Sequence, residues 1–218
     1  TEVAGVPDIG LISRGEDVEI TTYLDKSVGS ELSANVIDLC PVGALTSKPY
    51  AFNARPWELK KTESVDVMDA LGSAIRVDSR GPAVLRVLPR LNEEINEEWI
   101  SDKTRYAVDG LSRQRLDQPF VRKDGRLQPA TWAQAFELIT AKVKAASGER
   151  IGVIAGDVQD VESMAAAKDL FTALGSANID CRQDGMVLGG GPRESWLMNS
   201  TIAGIEDADV VLLVGTNP

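Results

Sequence analysis

The stretch IGVIAGDVQDVESMAAAKDLFTALGSANIDC, residues 151–181, decides the fold class. Ile151-Gly152-Val153-Ile154-Ala155 is a short aliphatic run of the kind that forms a buried strand. Val161, Met164, Ala165, Phe171 and Leu174 then recur at helical spacing up to Gly175, a residue suited to the left-handed turn that closes a helix. Asn178 to Cys181 supplies a second strand. A strand, a helix and a strand in that order form the crossover unit of a parallel sheet.

Working outward, the same alternation continues. Upstream, Thr131 stands three residues before Gln134, a capping-box pattern, and Trp132, Ala135, Phe136, Ile139 and Val143 make an apolar helical stripe. Downstream, a helix around Ile202 to Ala208 precedes the aliphatic run Val210-Val211-Leu212-Leu213-Val214, read as a further buried strand. Residues 119–218 are thus expected to be α/β, a doubly wound and mostly parallel sheet with crossover helices.

The middle block, residues 61–118, reads differently. Ala74, Arg76 and Asp78 alternate with Ile75 and Val77, a turn follows at Ser79-Arg80-Gly81-Pro82, and Val84-Leu85-Arg86-Val87-Leu88 returns. This predicts a small β-rich unit with a hairpin. The acidic stretch Glu93 to Glu98 reads as a solvated face, and a short helix is expected near Ser101 to Val108. In the first block, residues 1–60, Leu32, Val36 and Leu39 fall on one face of a helix over about Ser30 to Leu39. Cys40 follows directly, and Pro41 and Gly43 end the helix, so the cysteine sits at a rigid corner.

Composition excludes several functions. The chain has 218 residues, 43% of them hydrophobic, enough for a packed core. Its longest aliphatic run, Val210 to Val214, is far shorter than the roughly 20 residues a spanning helix needs, so no direct membrane insertion is expected. A formal charge of −10 opposes a phosphate backbone, and no nucleic-acid partner is expected. There is no histidine, which removes His-based acid-base and triad chemistry, and two cysteines alone cannot build a four-ligand Cys/His zinc site. No side chain reads as catalytic. The chain opens on Thr1 rather than methionine and closes on Asn217-Pro218 after an expected strand, so it is read as a piece of a longer polypeptide.

Cys40-Pro41 is the first candidate for chemistry, because the last cysteine of a ferredoxin-type run is commonly followed by proline and ligates iron as thiolate. The alternative is a small apolar residue at a helix end. The segment Ile37-Asp38-Leu39-Cys40-Pro41-Val42-Gly43-Ala44-Leu45-Thr46-Ser47-Lys48-Pro49 resembles the one carrying the fourth cysteine of a 4Fe-4S cluster in the large iron-sulfur subunit of respiratory complex I, the NADH:quinone oxidoreductase. Glu97-Glu98-Trp99-Ile100-Ser101-Asp102-Lys103 and Val211-Leu212-Leu213-Val214-Gly215-Thr216-Asn217-Pro218 resemble two further landmarks of that family.

The resemblance implies that Cys40 is a ligand of a 4Fe-4S cluster whose other cysteines lie upstream of Thr1. It implies that residues 1–60 are the end of a ferredoxin-like cluster domain. Residues 119–218 begin a molybdopterin-oxidoreductase-like domain for which no molybdopterin is expected. The function implied is electron relay from flavin toward quinone, alongside other peripheral-arm subunits that bear flavin and iron-sulfur clusters. The place implied is the cytoplasmic face of a bacterial inner membrane or the matrix face of a mitochondrial one. Lys48, close to Cys40, is expected to help tune the cluster.

Some members of the family carry an extra cluster on a C-x2-C-x3-C-x27-C pattern, and alignment on Gly72 and Glu98 to Lys103 puts those positions at Asp66, Asp69, Ser73 and Ser101. None is a cysteine, and hard oxygen ligands do not suit a cluster iron, so the extra cluster is expected to be missing. A divalent-cation site at Asp66, Asp69 and Ser73 is the alternative, against surface or turn carboxylates as the plainer reading. The glycines Gly152, Gly156, Gly189-Gly190-Gly191 and Gly215 include no G-x-G-x-x-G, and Asp157 and Asp160 stand where a pyrophosphate would sit, so they read as turn and packing residues. Cys181 is assigned no role.

Overall fold

The computed structural model describes residues 1–22, 24, 26–156, 158–181, 190–195 and 197–214. The chain divides into two compact units, Thr1–Arg113 with Met198–Pro218, and Gln114–Leu197.

The first unit is built on an antiparallel three-stranded sheet, β3 (Lys60–Val65), β4 (Ala74–Arg80) and β5 (Ala83–Pro89), in that order. The expected hairpin is β4–β5, and its turn falls at Gly81, whose φ of +57° is the left-handed conformation glycine adopts without penalty. β3 was not foreseen, because Lys60 to Val65 carries no apolar alternation. All six residues are exposed, and the strand is set by backbone pairing to β4, with lysines on the open edge.

Ile75, Val87 and Ile100 form the core, with Val77 and Val108 packed against it. Ile100 belongs to the segment entering α2 (Asp102–Tyr106), which 3₁₀ turns extend over Ala107–Ser112 as the expected short helix. The acidic residues Glu93, Glu94, Glu97 and Glu98 are exposed as read, while Asn96 among them is buried. Its Oδ1 accepts from the Ala74 N–H at 2.8 Å and its Nδ2 donates to the Trp99 carbonyl at 3.2 Å, tying this loop to β4. A small hairpin of β1 (Gly10–Ile12) and β2 (Glu19–Thr21) lies near the N-terminus.

The helix expected over residues 30–39 is shorter. Residues 31–34 form turns closed by Ser33 N–H to Ser30 carbonyl and Asn35 N–H to Leu32 carbonyl bonds, and α1 spans Asn35–Leu39. The first turn is not helical because Asp102 takes up the Ser33 hydroxyl and the Ala34 N–H.

In the second unit, α3 (Trp132–Ala145) starts at the expected capping box, with Thr131 Oγ1 accepting from the Gln134 N–H at 3.3 Å and Gln134 Oε1 accepting from the Thr131 N–H at 3.0 Å. A hairpin of β6 (Phe120–Lys123) and β7 (Arg126–Pro129) precedes it. β8 (Gly152–Ile154), α4 (Val161–Ala173) and β9 (Asn178–Asp180) form the expected crossover unit, with β8 and β9 parallel. Gly175 closes α4 at φ +76°.

Several expectations about this block are corrected. β8 is not buried: Ile154 is 84% exposed. The stripe on α3 is likewise open, with Trp132, Phe136 and Ile139 exposed, because an amphipathic helix buries its stripe only where another layer stands against it. Trp132 stacks on Phe136 instead, ring centroids 5.6 Å apart. Ile202 to Ala208 forms only a 3₁₀ turn at Ala203–Ile205, and Val210 to Val214 is neither paired nor buried. An aliphatic run becomes a strand only by hydrogen bonding to a neighbour, and it has none among the described residues. Parallel pairing among those residues is confined to β8 and β9.

Candidate functional site around Cys40

Cys40 is the C-cap of α1, with φ −75° and ψ 105°, and its N–H donates to the Val36 carbonyl at 3.2 Å. Pro41 and Gly43 turn the chain as expected, Gly43 at φ +70°. This bend curls the following backbone around the sulfur. The N–H groups of Leu45 and Val42, and less strongly those of Ala44 and Gly43, hold the thiol below its ordinary pKa, against a smaller opposing effect of burial. The side chain is half-buried. A thiol whose pKa is lowered by neighbouring backbone amides is a soft sulfur donor, and it fits an iron-sulfur ligand at this position.

The helix carrying this thiol is fastened by buried polar contacts. Asn35, 4% exposed, donates from Nδ2 to the Ile100 carbonyl and accepts at Oδ1 from the Ile100 N–H. Asp102 accepts the Ser33 hydroxyl at 2.6 Å and the Ala34 N–H at 2.9 Å, while its own N–H donates to the Glu31 carbonyl at 2.7 Å. Arg105, also 4% exposed, donates from Nη2 to Asp38 Oδ2 at 2.6 Å and to Asn35 Oδ1 at 3.1 Å. Sequence reasoning missed this fastening. The one available signal was Asp38, a carboxylate two residues before a candidate anionic ligand, which calls for a compensating cation. That cation is the buried Arg105, whereas Lys48 is exposed.

The positions Asp66, Asp69, Ser73 and Ser101 do come together. Asp69, Ser73 and Ser101 line one cavity of about 610 Å³. Asp66 and Asp69 are turn carboxylates, each accepting from the N–H two residues on, but Asp66 is not on the surface: it is 6% exposed, and Ser73 is 3% exposed. Burial is tolerated because Asp66 Oδ2 accepts from the Thr104 hydroxyl at 2.8 Å, Oδ1 accepts from the Met68 N–H at 3.2 Å, and the Asp66 N–H donates to the Ser73 carbonyl at 2.8 Å. Ser101 caps α2, accepting from the Thr104 N–H at 3.2 Å. Asp69 pairs with Lys103 at 3.0 Å. Carboxylates already satisfied by a hydroxyl, an amide and an ammonium, with no thiolate among them, do not fit a cluster iron. No group of three or more His, Cys, Asp or Glu that could hold a metal is found among the described residues.

A second buried carboxylate supports the sheet. Asp78 is fully buried and accepts from Arg76 Nε at 2.9 Å and Arg86 Nε at 2.8 Å, and Arg86 lies over the Tyr50 ring, 4.4 Å from its centroid. Tyr50 belongs to the chain that follows Cys40, so β5 and that segment are stapled together.

Of the glycines, Gly152 lies in β8 and Gly156 just beyond it, and a Cβ at either position meets only ordinary contacts. Gly190 and Gly191 are described, while Gly189, Gly215 and Asp157 lie outside the described residues. Cys181 is exposed.

A half-buried thiol at the end of a short helix, a β-rich unit braced against that helix, and a β-α-β crossover unit downstream fit the class of iron-sulfur proteins that carry an α/β domain. Comparison with known families gives the same class. Residues 1–46 match the ferredoxin-like domain of NADH-quinone oxidoreductase subunit 3, residues 59–109 the NADH-ubiquinone oxidoreductase NDSU1/NuoG-like 4Fe-4S domain, and residues 115–218 the molybdopterin oxidoreductase family. The whole chain is 56% identical to part of the mitochondrial 78 kDa subunit of NADH-ubiquinone oxidoreductase from Neurospora crassa, covering 30% of that protein. It is 56% identical to part of the mitochondrial NADH dehydrogenase (ubiquinone) iron-sulfur protein 1 of Solanum tuberosum, covering 30%. It is 53% identical to part of an NADH-quinone oxidoreductase subunit of Rickettsia conorii, covering 32%. Over its own length the chain belongs to this family of large iron-sulfur subunits, and it spans about a third of the length of these curated relatives. No cysteine lies within the matched 59–109 segment.

Proposed function

We propose that this chain is part of an electron-relay subunit of NADH:quinone oxidoreductase, in which Cys40 ligates a 4Fe-4S cluster on the route from flavin to quinone. The observation that carries the reading is the amide-lined thiol of Cys40 at the end of a fastened helix, in a chain 51–56% identical to proteins named as subunits of that enzyme. The cluster supplies one-electron exchange when bound. The chain's own residues orient the sulfur, donate amide hydrogen bonds toward it, and brace its helix from Ile100, Asp102 and Arg105.

The remaining ligands are supplied by the longer subunit upstream of Thr1. In the segmentation we propose, residues 1–60 end the cluster domain, 61–118 form a β-rich domain without a cluster of its own, and 119–218 begin a doubly wound, mostly parallel α/β domain. That last domain works without molybdopterin, as a scaffold. Its open faces on α3 and β8, including Trp132, Phe136 and Ile154, favour a docking role. Partners are flavin- and cluster-bearing subunits of the peripheral arm. The place is the cytoplasmic or matrix face of the inner membrane, and no helix among the described residues is long and apolar enough to cross one.

The test is Cys40→Ala in the full-length subunit, assembled in the complex, followed by low-temperature EPR. Loss of one 4Fe-4S signal with the others retained is the expected result, and an unchanged spectrum would overturn the assignment.

A further inference from the structure

Asp38 stands two residues before Cys40 on the same short helix, and a carboxylate there is electrostatically adverse to an anionic cluster held by thiolate. Arg105 answers it from α2 with an ion pair of 2.6 Å, the guanidinium 4% exposed and Asp38 28% exposed. The guanidinium's burial leaves its charge poorly screened by solvent. Its Nη2 also reaches Asn35, so both of these anchors lie on the helix that ends at Cys40, while its Nε is buried with no partner among the described residues. The Asn35 and Asp102 contacts fasten the same helix without placing a cation in it.

We propose that the Asp38–Arg105 pair sets the reduction potential of the cluster that Cys40 ligates, with Arg105 a positioning residue acting through α1. The proposal rests on the ligand assignment made above. Local charge is one of the levers that fix a cluster's potential: a nearby cation favours the added electron and a nearby anion opposes it. The two members of the pair therefore pull in opposite directions, and that opposition is what a purely structural contact lacks.

The experiment uses the complex with the full-length subunit and follows, by EPR redox titration, the cluster that disappears in Cys40→Ala. Arg105→Gln shifts its midpoint to more negative potential, Asp38→Asn shifts it to more positive potential, and the double variant lies between them. Arg105→Lys, which keeps the charge, stays nearest the native value. Unchanged potentials, or shifts of the same sign in both single variants, overturn the proposal and leave the pair a fastener only. Should Arg105→Gln fail to hold the cluster, Asp38→Asn decides alone: a positive shift supports the proposal and any other result overturns it. If Cys40→Ala retains every cluster signal, the ligand assignment itself has failed and the proposal falls with it, an outcome distinct from a measured potential that does not move.

Discussion

Asn35 and Ile100, 65 residues apart in sequence, are joined at two points: Asn35 Nδ2 donates to the Ile100 carbonyl at 2.9 Å, and Asn35 Oδ1 accepts from the Ile100 N–H at 3.2 Å. One side-chain amide thus satisfies both backbone groups of a core residue, as a neighbouring strand would. It holds the helix of Cys40 against the core.

Asn35→Ala should leave the Ile100 N–H and carbonyl unsatisfied in a buried place and deprive Arg105 of one acceptor. Each orphaned group costs on the order of 1–3 kcal/mol, so a loss of about 3 kcal/mol in stability is expected. Urea denaturation reads it as a lowered midpoint with unchanged slope. A midpoint equal to the native one would show the contact is not structural.

Asp78→Asn keeps the shape of the buried side chain and removes its charge, leaving Arg76 and Arg86 without their carboxylate. Breaking a buried pair costs roughly 3–5 kcal/mol, and because Arg76 is 32% and Arg86 20% exposed the lower end is expected. The same denaturation measurement checks it. Asp38→Asn, with its partly exposed carboxylate, should cost clearly less.

Asp160 caps α4, its carboxylate accepting from the Ser163 N–H at 2.7 Å and the Ser163 hydroxyl at 2.8 Å. Both bonds favour the charged form and hold its pKa below the ordinary value of 3.8. A carboxylate whose folded pKa is depressed stabilises the fold above the unfolded value and loses that contribution as pH falls through the folded one. Hydrogen exchange at the Ser163 amide should therefore stay protected, relative to its intrinsic rate, through the ordinary carboxylate value of 3.8 and lose protection only at lower pH. Asp160→Ala should remove this pH dependence.

Local signals in the sequence carried the elements of the fold well. The capping box at Thr131 and Gln134, the helix closed by Gly175, the hairpin turning at Gly81 and the order β8, α4, β9 all follow from residues close in sequence. One local signal went unread: Asp124-Gly125, with φ of +49° and +77°, is the turn pair that makes the β6–β7 hairpin. Burial was less legible. Ile154, Phe136 and Val210 to Val214 have the composition of a core, but hydrophobicity states a preference for cover and cannot supply the layer that covers it.

At the site, the corner that holds Cys40 was readable because proline fixes its own backbone angle and glycine permits the left-handed turn that other residues resist. The polar fastening of Asn35, Asp38, Asp102 and Arg105 was not, and neither was the burial of Asp66 and Asp78. Each of these depends on a partner brought across by the chain, some 67 residues away for Asp38 and Arg105, and the same polar residue is a surface group without that partner and a buried one with it. The sequence by itself determined which segments turn, coil or extend and placed one thiol at a rigid corner. Only the tertiary structure decided which charges are buried and what they hold, because a buried charge is stable only where its counterpart is also in place.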